Sequence, residues 1–190
     1  GGTFTTVGGK AHSRLASLNA ATGALDPFVN NQFSVNHNWY SGCSNCAQGS
    51  VQVKNLDVSA DGTTLIAVGN FKQVDGYTRD QIVNIDLTGA AATVRPDWNS
   101  NAYTARCFDW AFDTYMRGLA MSPDGSYFIA VTTGGANGGR AGGTHCDTAA
   151  RFDTADRGQD VQPTWAQYAG GDTFTAVEIT GAAVYTGGHM

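Results

Sequence analysis

Leu56-Asp57-Val58-Ser59-Ala60-Asp61-Gly62-Thr63-Thr64-Leu65-Ile66-Ala67-Val68 decides the fold. Two apolar runs flank an Asp-Gly pair, the pattern of a β-hairpin. The block returns 63 positions on as Leu119-Ala120-Met121-Ser122-Pro123-Asp124-Gly125-Ser126-Tyr127-Phe128-Ile129-Ala130-Val131. Pro123 there presets φ for the first central position of its turn. A shortened copy runs Ala176-Val177-Glu178-Ile179-Thr180-Gly181-Ala182-Ala183-Val184-Tyr185. A hairpin that recurs at nearly fixed spacing marks a repeat architecture.

A second series interleaves with the first. Phe4-Thr5-Thr6-Val7-Gly8-Gly9 returns 67 positions on as Phe71-Lys72-Gln73-Val74-Asp75-Gly76. At the same offset Leu15, Leu18 and Asn19 fall on Ile82, Ile85 and Asp86, and Asp86 falls on Asp153. Pro96-Asp97-Trp98 likewise meets Pro163-Thr164-Trp165. One unit therefore reads as strand, Asp-Gly turn, strand, Gly-rich loop, strand, loop, then a strand at the Pro/Trp or Asp-Pro-Phe block. Four short strands per unit is the layout of a propeller blade. A blade usually takes about 40 to 50 residues. Two insertions explain the longer spacing here, one from about Asn36 to Ser50 and one from about Asn101 to Met116. A glycine-rich stretch from Gly134 to Thr144 lengthens a third loop.

The expected fold is all-β, a β-propeller segment of about three four-stranded blades with two long inserted loops, spanning residues 1–190 as one unit. Its strands are interrupted at equivalent places near both ends. A ring of blades needs more units than this, so the expectation is a longer parent chain or closure with another chain.

Composition agrees. Fifteen acidic residues are Asp and one is Glu178, and Lys occurs only at 10, 54 and 72. Asp and Gly favour turns, whereas Glu and Lys favour helices, so a helical bundle is excluded. A net charge of -5 with only 11 Lys and Arg excludes a nucleic-acid module, which needs clustered cations. No apolar run is long enough to span a membrane as a helix.

The Gly-Gly-x-Phe-Thr-x-Val-x-Gly opening, Arg14-Leu15-Ala16-Ser17-Leu18-Asn19 with its Thr22-Gly23 turn, and the Ser-x-Asp-Gly hairpins resemble a known family. They are similar to the delta-sixty-type β-propeller repeats of secreted bacterial proteins, actinobacterial ones in particular. The likeness covers most of the chain outside the insertions. It is weakest in the third copy, where residues 134–145 replace the Phe-Thr-x-Val-x-Gly segment. The resemblance implies a propeller and an extracellular location. It implies no reaction, because fold alone does not assign function.

Four cysteines stand at 43, 46, 107 and 146, and allow three pairings. The Cys43-Ser44-Asn45-Cys46 pair is open to reading as a zinc half-site, a redox motif or a tight disulfide. Zinc needs two further ligands. A thioredoxin-like motif needs a strand leading into a helix, and Asn, Gly and Ser surround this pair. A c-type haem needs His at 47, which is Ala47. With the resemblance to secreted repeats, the expectation is Cys43–Cys46 and Cys107–Cys146 disulfides in an oxidising compartment.

No residue is assigned to catalysis. Gly-x-Ser-x-Gly, His-Glu-x-x-His and Gly-x-x-x-x-Gly-Lys are all missing from the sequence. Asp61 and Asp124, and Asp86 and Asp153, sit at equivalent repeat positions, which points to turn chemistry. Glu178 lies in an expected strand. The expectation is no cofactor and no metal. Calcium is the nearest alternative, through Asp109 and Asp113, which supply two of the six to eight oxygens it needs.

The insertions carry the functional signal. His37, Asn38, Trp39 and Tyr40 in the first, and Arg106, Asp109 and Trp110 in the second, combine aromatic faces with amide, imidazole and charged groups. Such sets stack on sugar rings and also dominate protein interfaces. They equally suit a small core beneath a pinned loop. Residues 108–115 also fit a short helical turn. The functional expectation is a secreted, non-catalytic module binding another secreted protein or a cell-surface polysaccharide through these seven residues. The alternative is the propeller domain of a polysaccharide-acting enzyme whose active site lies elsewhere.

Overall fold

The computed structural model describes residues 1–40, 42–134 and 144–189, and these contain strands and turns but no helix. Most of the glycine-rich stretch, residues 135–143, lies outside the described residues. Two hairpins come first, β1 (Thr6–Val7) with β2 (Lys10–Ala11) and β3 (Ser17–Leu18) with β4 (Leu25–Asp26). β5 (Phe33–Ser34) follows. The next strands are β6 (Gln52–Val58), β7 (Thr64–Asn70), β8 (Gln73–Val74), β9 (Tyr77–Thr78), β10 (Ile82–Asp86) and β11 (Thr93–Val94). After the second insertion come β12 (Met116–Met121), β13 (Tyr127–Thr132), β14 (Thr148–Asp153), β15 (Trp165–Tyr168), β16 (Thr173–Ile179) and β17 (Val184–His189).

Two four-stranded antiparallel sheets of blade type result, β6-β7-β10-β11 and β12-β13-β14-β15, each a meander. The first strands of successive units are neighbours, since β12 packs against β6 on one side and β16 on the other. Strand alternation sends side chains to both faces of each sheet, and both faces are covered. Ile66 and Val68 leave one face of the first blade to meet Met116, Met121, Phe128 and Phe152 of the second. Leu65, Ala67, Val83 and Ile85 leave the other face to meet Leu15, Val29 and Phe33. Ile129, Val131 and Ala149 of the second blade meet Ile179, Phe174 and Val184 of β16 and β17. Stacked units bury what a single sheet would expose. Asp57 adds a polar tie between blades, because its Oδ2 accepts the Met121 N–H at 2.7 Å.

Turn chemistry explains the hairpins. The Asp61 carboxylate accepts from Ser59 Oγ, Thr63 N and Thr63 Oγ1. Asp124 accepts the equivalent set from Ser122 and Ser126. The 67-residue repeat is also structural. β1 and β2 map onto β8 and β9, and the two-residue turns between them, Gly8-Gly9 and Asp75-Gly76, all have φ between 50° and 81°. Left-handed residues at both central positions make the turn whose twist matches a hairpin. An irregularity recurs in each first strand, between Val53 and Asn55, Met116 and Gly118, and Phe174 and Ala176.

The Pro/Trp block does not behave alike in both copies. Trp165 opens β15, but the fourth strand of the first blade ends at Val94, before Pro96. Proline carries no N–H to extend the ladder. Trp98 instead fills the layer between the blades, fully buried, and bridges Gly158.

Candidate functional site

The first insertion is irregular backbone, so its carbonyls need partners that strands do not supply. Three asparagines provide them. Asn70, the last residue of β7, accepts the His37 N–H at 2.9 Å and donates to Gln48 and Ser50 carbonyls at 2.8 and 3.0 Å. Asn36 donates to the Gln48 and Gly49 carbonyls. Buried Asn38 donates to Ala47 O at 2.8 Å, Phe112 O at 2.7 Å and Asp109 O at 3.2 Å. Asn38 thereby laces the two insertions together, and the Ala47 N–H to Asp109 O bond at 2.7 Å repeats the link.

The second insertion has its own anchors. Gln81, before β10, donates to Tyr103 O at 2.8 Å and accepts from Thr114 Oγ1 at 2.6 Å. Cys107–Cys146 ties it to the turn before β14, with both cysteines buried. Phe108 to Phe112 forms a hydrogen-bonded turn, with Phe112 N donating to Phe108 O at 3.0 Å, in place of the short helical turn over 108–115 that the sequence also fits.

A polar hub joins the loops. Asp109 accepts from the Tyr40 hydroxyl and from Arg106, whose guanidinium also lies 4.8 Å from the Tyr40 ring centre. Burial alone would raise the Asp109 carboxyl, but the Tyr40 and Arg106 hydrogen bonds and the Arg106 charge outweigh it and hold the group below its ordinary value. Burial and donation to Asp109 push the Tyr40 hydroxyl up. The Cys43–Cys46 disulfide closes on the same hub, with Cys46 Sγ 2.5 Å from Tyr40 Oη and 3.2 Å from Asp109 Oδ2. The two sulfurs and the carboxylate lie within 4.8 Å of one another, a spread that would suit a metal. Disulfide sulfurs are not thiolates, however, and the thiolate is the ligand form.

Of the seven expected site residues, the structure divides the roles. His37 and Asn38 are buried. His37 Nδ1 pairs with Asp80 at 2.7 Å and its ring meets Tyr115 edge-on at 5.3 Å. Tyr40, Arg106 and Asp109 build the hub. Trp39 and Trp110 project into solvent, 63% and 66% exposed. Trp39 and Tyr40 line an open cleft of about 560 Å³ with Val35, Asn36, Lys72 and Gln73. Lys72 and Gln73 come from the blade connection rather than the insertions. Lys72 Nζ bonds Trp39 O at 3.3 Å and stands 3.8 Å from Asp80. A signal for Lys72 existed: the repeat puts Thr5 at its equivalent position, so a lysine there departs from the pattern.

The carboxylates of the repeat are engaged in turns. Thr88 caps Asp86 with its N–H and hydroxyl, and Arg151 and Thr164 hold Asp153. Asp113 faces Gln52 and Asn70 while Asp109 faces Tyr40 and Arg106, so different protein donors occupy the two carboxylates. Glu178 is exposed on β16 opposite Tyr185.

Fold and site together define an all-β protein of β-propeller type, with an aromatic cleft on loops laced to its blades. Among the described residues no helix is long and apolar enough to cross a membrane. No family model matches the chain, and no curated protein matches it. Among solved structures it is similar to the β-propeller domain of Cps50 (Swd1) from Myceliophteria thermophila, at 11% identity and a TM-score of 0.35, over 94% of this chain. The chain spans 58% of that domain's length.

Proposed function

We propose that the chain is a non-catalytic propeller module of a secreted protein, and that it binds a cell-surface glycan in the Trp39 cleft. The observation that carries this reading is the cleft itself: concave, about 560 Å³, with an exposed indole beside amide and ammonium donors. An indole face stacks on the C–H face of a sugar, while Gln73 and Lys72 can donate to hydroxyls and the Asn36 side-chain oxygen can accept from one. The buried clasp beneath presets the cleft, so little ordering cost falls on binding. Secretion is supported by the two disulfides, which persist in oxidising compartments. A protein partner is the second reading, favoured by Trp110, whose large exposed indole lies outside the cleft.

The test is binding of the oxidised protein to a panel of bacterial cell-wall and surface polysaccharides. Trp39→Ala is expected to weaken binding about tenfold or more, from the stacking energy of one aromatic ring. Trp110→Ala is expected to leave glycan affinity unchanged. Folded protein that binds no glycan, or binding that survives Trp39→Ala, overturns the glycan reading. A Trp110-dependent protein captured from culture supernatant would then support the second.

A further inference from the structure

The two disulfides sit in opposite surroundings. Cys107 and Cys146 are buried, 2% and 0% exposed, and their bridge spans 39 positions. Closing so long a loop restricts the unfolded chain substantially, so that bridge stabilises the fold. Cys43 and Cys46 are half-buried, lie within one loop, and are three positions apart. A ring that short restricts the unfolded chain much less. Opening it would leave the asparagine clasp in place, since Asn36, Asn38 and Asn70 hold the loop through other residues.

The polar groups around the small ring are asymmetric. Arg106 Nη2 lies 4.0 Å from Cys43 Sγ. Asp109 Oδ2 lies 3.2 Å from Cys46 Sγ, and Tyr40 Oη lies 2.5 Å from it. A cation beside one sulfur favours its thiolate, and a carboxylate beside the other favours its thiol.

We propose that Cys43–Cys46 is a thiol–disulfide exchange site for external dithiols and disulfides, with Cys43 as the nucleophile and Cys46 as the resolving thiol. In the oxidising direction the Cys43 thiolate, facing Arg106, attacks one sulfur of an external disulfide. That S–S bond breaks, and its electron pair leaves on the departing thiolate. Cys46 then gives its proton to solvent by way of the Asp109 carboxylate and attacks Cys43 Sγ. The mixed disulfide breaks, the second external thiolate departs, and the ring closes. Two cysteine thiols and one disulfide thus become one cysteine disulfide and two external thiols. An external dithiol drives the same steps in reverse. The proposal concerns chemistry at sulfur and is independent of what the Trp39 cleft binds.

The experiment equilibrates the intact oxidised chain in stepped ratios of reduced to oxidised dithiothreitol, then acid-quenches, alkylates and maps peptides by mass. Cys43–Cys46 is expected to open at ratios that leave Cys107–Cys146 closed. In the selectively reduced protein, iodoacetamide is expected to modify Cys43 before Cys46. Arg106→Ala is expected to slow Cys43 alkylation at neutral pH by about tenfold, through loss of the cation beside its thiolate. Arg106→Lys keeps the charge and is expected to restore most of the rate. Both pairs opening together, Cys46 reacting first, or an Arg106→Ala protein that keeps the native rate would each overturn the proposal.

Discussion

The blades and the insertions bury their residues by different means. In the blades, Ile66, Val68, Phe128 and Phe152 are buried because strands alternate and sheets stack. In the insertions, polar residues also go inside, beside the buried Tyr103, Cys107 and Tyr115: His37, Asn38 and, just before β10, Gln81. Their role is to satisfy carbonyls that no ladder reaches, such as Ala47, Phe112 and Tyr103. Energy in the blades is spread over many contacts. In the insertions a few amides, each serving two or three partners, work beside the apolar anchors Tyr103, Cys107 and Tyr115, so loss of one amide side chain orphans several groups at once. The exposed tryptophans sit on the insertion side of this division, where the backbone is irregular but fixed.

Removing a ring from the blades gives the largest expected effect. Phe128 is fully buried and stacks on Phe152 with ring centres 5.2 Å apart. Phe128→Ala is expected to cost about 3–5 kcal/mol of global stability, the usual loss for a buried aromatic. Chemical denaturation measures it. A loss below about 1 kcal/mol would mean that the layer between the blades is loosely packed in solution.

Asn38→Ala attacks the clasp. Three carbonyls lose a donor, and the expected cost is about 1–3 kcal/mol, the range for leaving buried polar groups unsatisfied. The loss should be local. Amide exchange should quicken at Ala47 and Phe112, while amides of β7 and β13 stay protected. Equal quickening across the blades would erase the distinction between the two regions.

Asp57→Ala probes the polar tie within the apolar framework. It removes a charge-assisted bond to the Met121 N–H, with an expected cost of about 1.5–3 kcal/mol if that N–H stays dry and less if water replaces the carboxylate. Denaturation with Asp57→Asn alongside separates the cases, because the amide oxygen can still accept. A full loss in both variants would show that charge, not acceptance, matters there.

The fold was legible because its signals are local. Ser59 with Asp61, and Ser122 with Asp124, build their turns from residues within five positions, and the 67-residue echo of Gly8-Gly9 in Asp75-Gly76 reports a backbone requirement directly. The two disulfides also match the expected pairing. The site was less legible. Residue type does not say whether Asn38 meets a ligand or a carbonyl, and the structure chooses the carbonyls. Lys72 stands 33 positions from Trp39, so only the fold brings them together. The Pro/Trp block misled for a related reason. One tryptophan starts a strand and the other fills a gap between sheets, and a three-residue pattern carries no record of which.

The smallest expected effect tests whether the two hairpin turns share one chemistry. Hydrogen bonds from Ser122, then from the Ser126 N–H and hydroxyl, hold the Asp124 carboxyl down from 3.8 to about 2. Asp61 is lowered by the matching bonds from Ser59 and Thr63. A depressed folded value means that each turn contributes stability above the ordinary carboxylate range. That contribution is lost as pH falls from about 4 toward about 2. Carboxyl-carbon NMR should therefore show Asp124 titrating near pH 2, with Asp61 below its ordinary value. Ser122→Ala should raise the Asp124 midpoint and leave Asp61 in place, since the two turns belong to different hairpins. Asp124→Asn should flatten part of the acid limb of the stability curve for the same reason. An Asp124 midpoint at the ordinary value would mean that these side-chain bonds do not hold the turn in water. The recurrence of Ser-x-Asp-Gly would then report backbone conformation alone, through the left-handed Gly62 and Gly125.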